Sequence, residues 1–377
     1  MISCIQSAWQ FGSQVDSIYL DFSKAFDTVS HRNLIAKLQA YGIVGNLLNW
    51  FHSYLTDRFL VVKLSGAASR TFHSSSGVPQ GSHLGPFLFS IYLNDIIDCI
   101  GVDCLLFADD IKLFISVSSV QDCYRLQESL LNIETWCAFN GMKLNTSKCH
   151  LITFRRSTGF ISFDYLLAGT ALERVESVRD LGIIFTTNLS PEIHVNDIVS
   201  KATRALGFLI RISKSGLCVH AMKIVYMSLV RSILEFGCVI WSPYQLGHIQ
   251  RLQKIQDRFL RVVGVRMGHD YQTAPLEHLE EVLGLDPLIK RRQIQDLVFL
   301  QKLITGDLDC PSLLSVIDFR VPGRTRSCHL FSRRSYTTNY DLHSSIPRLH
   351  RLGNLVSSQH DFFNDGLQHL KFAFLAT

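Results

Sequence analysis

The 377-residue sequence has no CxxC pair, no Cys/His array at zinc-finger spacing, no Pro/Gly-rich tract and no long uncharged apolar run. Without paired cysteine motifs, the ten scattered cysteines read as reduced and mostly buried thiols of an intracellular protein, and no structural zinc is expected. Cys218-Val219-His220 stands alone, with no second pair at finger distance. The apolar runs are too short for a membrane helix, and the N-terminal MISCIQSAWQFGSQVDSIYLDF lacks a basic region and a small-residue cleavage site, which argues against secretion. With 47% hydrophobic and 18% charged residues, the chain has the means to bury a sizeable core in two or three domains.

Charge is unevenly spread. Up to His150 there are 10 basic against 12 acidic residues, and after it 27 against 20. Such a gradient suits a polyanion on the second half and metal-holding carboxylates in the first, although a solvated basic surface has the same composition.

Residues 15–22 are β-formers ending on an acid, and the following stretch turns into a helix with Leu34, Ile35, Leu38 and Tyr41 at helical spacing. A second helix spans 47–55. Two short β-like runs, RFLVVKL and RTFHSSS, precede the loop GVPQGS, which opens a helix over 85–98. Residues 102–117 are two apolar runs joined by paired aspartates, the pattern of a hairpin with acids at its tip. A long helix then presents Tyr124, Leu126, Leu130, Ile133, Trp136 and Phe139 as a core stripe and ends at Asn140-Gly141. CHLITF and RDLGIIF are expected to complete a sheet of about five strands with helices on one face, an α+β arrangement. Helical patterns dominate from 192 to 305, and after Pro311 an Arg/Ser/His-rich texture predicts a poorly packed, partly irregular extension. The expected divisions are 1–187, 188–310 and 311–377.

The chemistry gathers on Asp21, at the end of one strand, and on Asp109 and Asp110, at the tip of a hairpin. If those strands are neighbours the carboxylates converge, and like charges that close call for divalent cations, typically a pair about 3.5–4 Å apart. Hard oxygen ligands favour Mg²⁺. A paired aspartate alone usually marks a solvated turn, but here apolar strands flank the acids, and a glycine-bracketed Gln80 lies between them and Asp21.

Several motifs occur in order. LDFSKAFD (20–27), SSSGVPQGSHLGP (74–86), FADD (107–110), GMKLNTSK (141–148) and VRDLG (178–182) resemble the successive palm motifs of reverse transcriptases. DFSKAFDTVSH with FADD is similar to the jockey-like branch of non-LTR (LINE-type) retrotransposon enzymes.

The resemblance implies an α+β palm, an antiparallel sheet with helices on one face, followed by a mostly α-helical thumb-like region over 188–310. It implies RNA-directed DNA synthesis with two Mg²⁺, Mn²⁺ as a substitute, deoxynucleoside triphosphates as substrate, and an RNA template with a DNA primer as partners. Asp21, Asp109 and Asp110 would hold the metals and Phe22 would lend its backbone carbonyl. Phe26 would be the steric gate against a ribose 2′-OH, the alternative being an ordinary core residue. Gln80 would contact nucleotide and template, with Gly77, Pro79 and Gly81 permitting close approach. Lys148 would neutralise or protonate pyrophosphate, the alternative being a surface lysine. Lys24 and Asp27 read as turn residues, and His31, His73 and His83 as structural or surface residues.

In the stretch 249–262, Arg251, Lys254, Arg258 and Arg261 run parallel to Leu252, Ile255, Phe259 and Val262, so one stripe packs while a basic face tracks phosphates or is merely solvated. The first motif begins at residue 20, which reads as a truncated copy for which fingers and endonuclease would have to come from another chain if it is to work as a complete enzyme. The alternative to the enzyme is a catalytically inactive remnant that at most binds nucleic acid; a two-metal nuclease or integrase is the remote third reading. Nuclear residence is what the family implies.

Overall fold

The computed structural model describes residues 1–320, 329–336 and 338–376. The chain forms two compact units: Met1–Val178 with Thr186–Leu189, and Arg179–Phe185 with Ser190–Thr377. Among the described residues no helix is long and apolar enough to cross a membrane.

In the first unit the strands β1 (Gln14–Leu20), β2 (Asp103–Phe107), β3 (Asp110–Val117), β4 (His150–Phe154) and β5 (Glu173–Arg174) form one sheet in the order β5-β4-β1-β3-β2. Its helices are α1 (Ile2–Gln10), α2 (Ala25–Thr28), α3 (His31–Ala40), α4 (Gly45–Leu55), α5 (Leu84–Leu93) and α6 (Val120–Asn140). The α+β reading holds. Neighbouring strands are antiparallel except β5, which runs parallel to β4.

Strand alternation sets the two faces. Ile18, Leu20, Leu113 and Leu151 pack into one core with α6, whereas Val15, Ile152 and Phe154 are buried on the opposite face. There α1 lies on the sheet, with Trp9 Nε1 donating to the Phe154 carbonyl at 3.3 Å. The expected one-sided arrangement therefore gains a helix on its second face. Beneath the core face the fully buried Asp16 accepts from Tyr165 Oη (2.9 Å), Thr153 Oγ1 (2.8 Å) and Gln14 Nε2 (3.1 Å), so its oxygens are satisfied by side chains in place of water.

Four sequence expectations change. RDLGIIF does not join this sheet: β6 (Ser177–Asp180) and β7 (Ile183–Thr186) pair only with each other, because Leu181 (φ 45°) and Gly182 (φ 89°) make a two-residue turn. The fifth strand is β5. On α6 the buried line is Cys123, Leu126, Leu130, Ile133 and Cys137, while Tyr124 and Phe139 are exposed; helical period, not aromatic character, decides which side faces inward. The helix expected from 85 to 98 becomes 3₁₀ over Asn94–Cys99. That over 23–41 breaks at Ser30, which caps α3 by accepting from the Asn33 N–H.

Helix α6 is tied at its start by Asp122, whose carboxylate accepts the Ser118 and Ser119 N–H groups at 3.1 and 3.0 Å. Slight burial would raise the Asp122 pKa, but these bonds lower it overall. Asp122→Ala should cost about 1 kcal/mol in thermal denaturation. A depressed carboxylate stabilises above its unfolded pKa, so the deficit should be full above about pH 4 and fade as acid protonates the group.

The second unit is helical: α7 (Glu192–Ser213), α8 (Leu246–Arg266), α9 (Leu288–Thr305), α10 (Ser345–Val356) and α11 (Leu367–Leu375), with a helical run over 219–235 that contains a π stretch at Tyr226–Arg231 and shorter helices between. On α8, Leu252, Ile255 and Phe259 are buried while Arg251, Lys254 and Arg258 are exposed, as the two stripes require. Arg261 and Val262 are half-buried. A buried ion pair joins α10 to α9: Arg348 Nε and Nη2 donate to Asp296 Oδ2 and Oδ1 at 2.9 and 3.1 Å.

Among the described residues after Pro311, many pack into a core, which the expected loose extension did not anticipate. Phe331, Leu349, Leu352, Phe362 and Leu370 close a core with Leu297, Leu300 and Leu303 of α9. Part of that core comes from loop residues, Phe331 and Phe362, which carry no helical period for a sequence reading to detect. Of the Arg-rich stretch, 321–328 lie outside the described residues. Among the described residues nine cysteines are free; Cys123, Cys137, Cys149 and Cys238 are buried and Cys218 is exposed.

Candidate active site

Asp21 follows the last residue of β1. The β1–β3 register ends at Leu20↔Ile111, so one step further sets Asp21 opposite Asp110. The β2–β3 hairpin closes on the pair Phe107↔Asp110 with only Ala108 and Asp109 between, and Ala108 takes φ 51°. A non-glycine residue held there is strained, and such a conformation persists only where the surrounding structure determines it. The sheet thus brings Asp21, Asp109 and Asp110 to one end of adjacent central strands. Ile111 and Leu113 anchor β3 in the core, whereas β2 is an edge whose Leu105 and Phe107 are exposed.

The Asp21 carboxylate is three-quarters enclosed. Its Oδ2 has no exposed surface and no hydrogen-bond donor, and its nearest cation is Lys148 Nζ at 3.3 Å, a distance that pairs the charges without hydrogen-bond alignment. An enclosed carboxylate oxygen with unused lone pairs is what a hard divalent cation takes as a ligand. The three carboxylates do not close into a cluster with all ligand atoms within 4.8 Å.

The segment carrying Lys148 is laced to the acid. Asn145 N–H donates to the Asp21 carbonyl and Ser23 N–H to the Lys143 carbonyl, both at 2.8 Å, around an antiparallel bridge between Phe22 and Leu144. Because neighbours make these bonds, the Phe22 carbonyl stays outside that ladder. Its side chain is buried.

The glycine loop wraps the first acidic motif. Gly77 N–H donates to the Val29 carbonyl and Val78 N–H to the Phe26 carbonyl, both at 2.8 Å, while His31 Nε2 bonds the Gly77 carbonyl at 2.7 Å. Gln80 Nε2 donates to Asp27 Oδ1 at 2.9 Å, and Ser76 Oγ to the Asp27 carbonyl at 2.8 Å. Asp27 therefore positions Gln80. The Phe26 ring stacks on Phe89 with centroids 4.4 Å apart, which fixes its plane.

Gly77 and Gly81 differ. At Gly77 (φ 89°) a Cβ would stand 2.9 Å from Asp27 Cα, Asp27 O and Phe26 O, whereas at Gly81 (φ 80°) it would meet nothing within 4 Å. Gly85 is a second close fit within the chain, since its Cβ would lie 2.6 Å from the Pro79 carbonyl. Gly77→Ala should cost about 2–5 kcal/mol from backbone strain and overpacking, and Gly81→Ala about 1 kcal/mol from backbone strain. Their melting temperatures, compared side by side, check the difference.

Residues 7–210 match the family model described as "Reverse transcriptase (RNA-dependent DNA polymerase)". The chain belongs to this reverse transcriptase family. Its relatives include non-LTR retrotransposon proteins of Drosophila melanogaster. The "Probable RNA-directed DNA polymerase from transposon BS" is 28% identical, covering 66% of this chain and 29% of that one. The "RNA-directed DNA polymerase from mobile element jockey" is 26% identical, covering 64% and 28%. This reverse transcriptase chain thus spans under a third of the length of the relatives it matches. A solved telomerase of Candida tropicalis, in complex with a fragment of telomeric RNA, aligns with TM-score 0.38 and 12% identity over 83% of this chain and 50% of that one.

Sequence reasoning on this reverse transcriptase missed Phe89 behind Phe26, Asp27 behind Gln80 and His31 behind Gly77. Each pairing joins residues distant in sequence, and no local spacing signals it.

Proposed function

We propose that residues 1–187 are the palm of an RNA-directed DNA polymerase, in which a primer 3′-hydroxyl attacks the α-phosphate of a deoxynucleoside triphosphate and pyrophosphate leaves. The observation that carries this is the register placing Asp21 opposite Asp110 and beside Asp109, in a chain of the reverse transcriptase family. Asp21, Asp109, Asp110 and the Phe22 carbonyl would hold two Mg²⁺, with Mn²⁺ as a substitute. Those ions, when bound, activate the attacking hydroxyl and stabilise the leaving oxygen.

The remaining roles belong to the chain. Phe26, its plane set by Phe89, would stand against a ribose 2′-OH. Gln80, oriented by Asp27, and the Gly81 backbone would meet the nucleotide and the template. Lys148 would pass from Asp21 to the pyrophosphate. Residues 188–310 serve as the thumb-like region, the α8 basic face following the phosphates of an RNA–DNA hybrid without reading sequence. Residues 311–377 are the C-terminal region. The nucleus is the place of action this reading implies.

One observation favours the second reading, an inactive chain that binds nucleic acid: Lys148 already pairs with Asp21. Primer extension on an RNA template with Mg²⁺ and deoxynucleotides separates the two. Extension by the wild type and none by Asp109→Ala/Asp110→Ala supports the polymerase. No extension by either, with equal binding of an RNA–DNA hybrid, supports the binding remnant.

A further inference from the structure

The C-terminal core ends in a group of side chains that the polymerase chemistry does not use. His360 lies just beyond α10, Asp365 closes the turn that follows, and His369 sits in the first turn of α11. Their ligand atoms meet: His360 Nδ1 and His369 Nδ1 are 3.1 Å apart, His369 Nδ1 is 3.2 Å from Asp365 Oδ2, and His360 Nδ1 is 3.7 Å from that oxygen. Three ligands on a tetrahedral ion with bonds of about 2.0–2.1 Å stand about 3.3–3.4 Å from one another. The observed triangle straddles that value.

The triangle is held from outside. Asp361 N–H donates to Asp365 Oδ2 at 2.9 Å, and Phe362 and Leu370, both fully buried, anchor the chain next to His360 and His369. The His360 side chain is wholly buried while Asp365 and His369 reach solvent, so the group has an inner and an open side. A cavity of 590 Å³ bordered by Ser357, Gln359, His360 and Asp365 adjoins it.

We infer that His360, Asp365 and His369 form a binding site for a zinc-class divalent ion, with a fourth position open to water. Two nitrogens and one carboxylate suit Zn²⁺ and not Mg²⁺, which asks for oxygen ligands. The site is separate from the aspartates of the first unit. The spacing His-x4-Asp-x3-His escapes a search for zinc-finger patterns because it contains no cysteine. His360 Nε2 is enclosed and meets no acceptor among the described residues, so the outer hydrogen bond worth about 10–100-fold in affinity is missing. Dissociation on the order of micromolar is expected.

The test uses the full untagged chain, dialysed against Zn²⁺ held well above the expected dissociation constant with excess Mg²⁺ and assayed for bound metal, with Co²⁺ absorption reporting coordination geometry. His369→Ala and Asp365→Asn are the variants, since both positions are solvent-accessible and the fold should tolerate them. One zinc per chain, a tetrahedral Co²⁺ spectrum, a higher melting temperature with zinc, and at least about a hundredfold weaker binding in either variant would establish the site. Zinc uptake equal in wild type and variants, or a folded wild type that takes up none, would overturn it, leaving a hydrogen-bonded triad only.

Discussion

Asp109→Ala/Asp110→Ala is expected to lower RNA-templated primer extension by at least about a thousandfold while leaving the melting temperature nearly unchanged. The two effects separate because of where the acids sit. Asp109 is half-buried and Asp110 exposed, at a hairpin tip whose fixed points are Ile111 and Leu113 in the core. Removing the carboxylates takes nothing from that core, so surface substitution should shift stability by no more than about 0.5 kcal/mol. Their loss would take away negative charge where the proposed reaction needs cations held. Removing even one group that stabilises transition-state charge typically costs about a hundred- to a thousandfold. Asp21→Asn makes a second comparison: it should abolish extension equally but also free Lys148, which the paired acid now holds at 3.3 Å. If the double variant extends primers like the wild type, these carboxylates are not the active site.

Arg348→Ala should be among the most destabilising single changes in the second unit, costing about 3–5 kcal/mol in denaturant unfolding. Asp296 is 1% exposed, and Arg348 grips both its oxygens while also donating to the Val239 carbonyl at 2.6 Å. Without the guanidinium a carboxylate is left in the core, where burial already raises its pKa against the lowering pull of Arg348. The sign of the pH dependence follows. A carboxyl whose folded pKa lies above its unfolded value is tolerated best when protonated, so its stability contribution is present at low pH and lost as pH rises through the folded pKa. Removing Arg348 raises that pKa further. The deficit of Arg348→Ala should therefore be larger at pH 8 than at pH 5, and a deficit that grows toward acid would contradict the buried-charge account. Replacing both partners with apolar residues should recover much of the loss, because the expense lies in the orphaned charge.

The acids were legible because strand and hairpin patterns are local: β-formers ending at Asp21, and two apolar runs joined at Asp109-Asp110, are read within a few residues. Helix α8 was legible for the same reason, its basic and apolar lines repeating within one helix. What escaped depends on approach in space. Asp27 and Gln80 are 53 residues apart, and nothing near either indicates that one orients the other. The placement of 177–186 turned on Leu181, a residue type with no reputation for left-handed backbone, at which the chain nevertheless folds back. The packed C-terminal region escaped because Gly353, not a large residue, is its closest fit: a Cβ there would lie 2.4 Å from the Phe331 ring.

The place of β1 between β3 and β4 has a consequence for the order of events during synthesis. Asp16 is satisfied by Thr153, 137 residues later in the chain, and the strand beside it cannot be covered until those residues exist. At about 5–20 residues per second, the ribosome exposes the Asp21 strand for roughly 7–27 seconds before its second neighbour is made. Contacts that span so much chain also close slowly. During that interval the strand that ends in Asp21 has an open edge, and chaperone occupancy on nascent chains should fall only once residue 154 has cleared the exit tunnel.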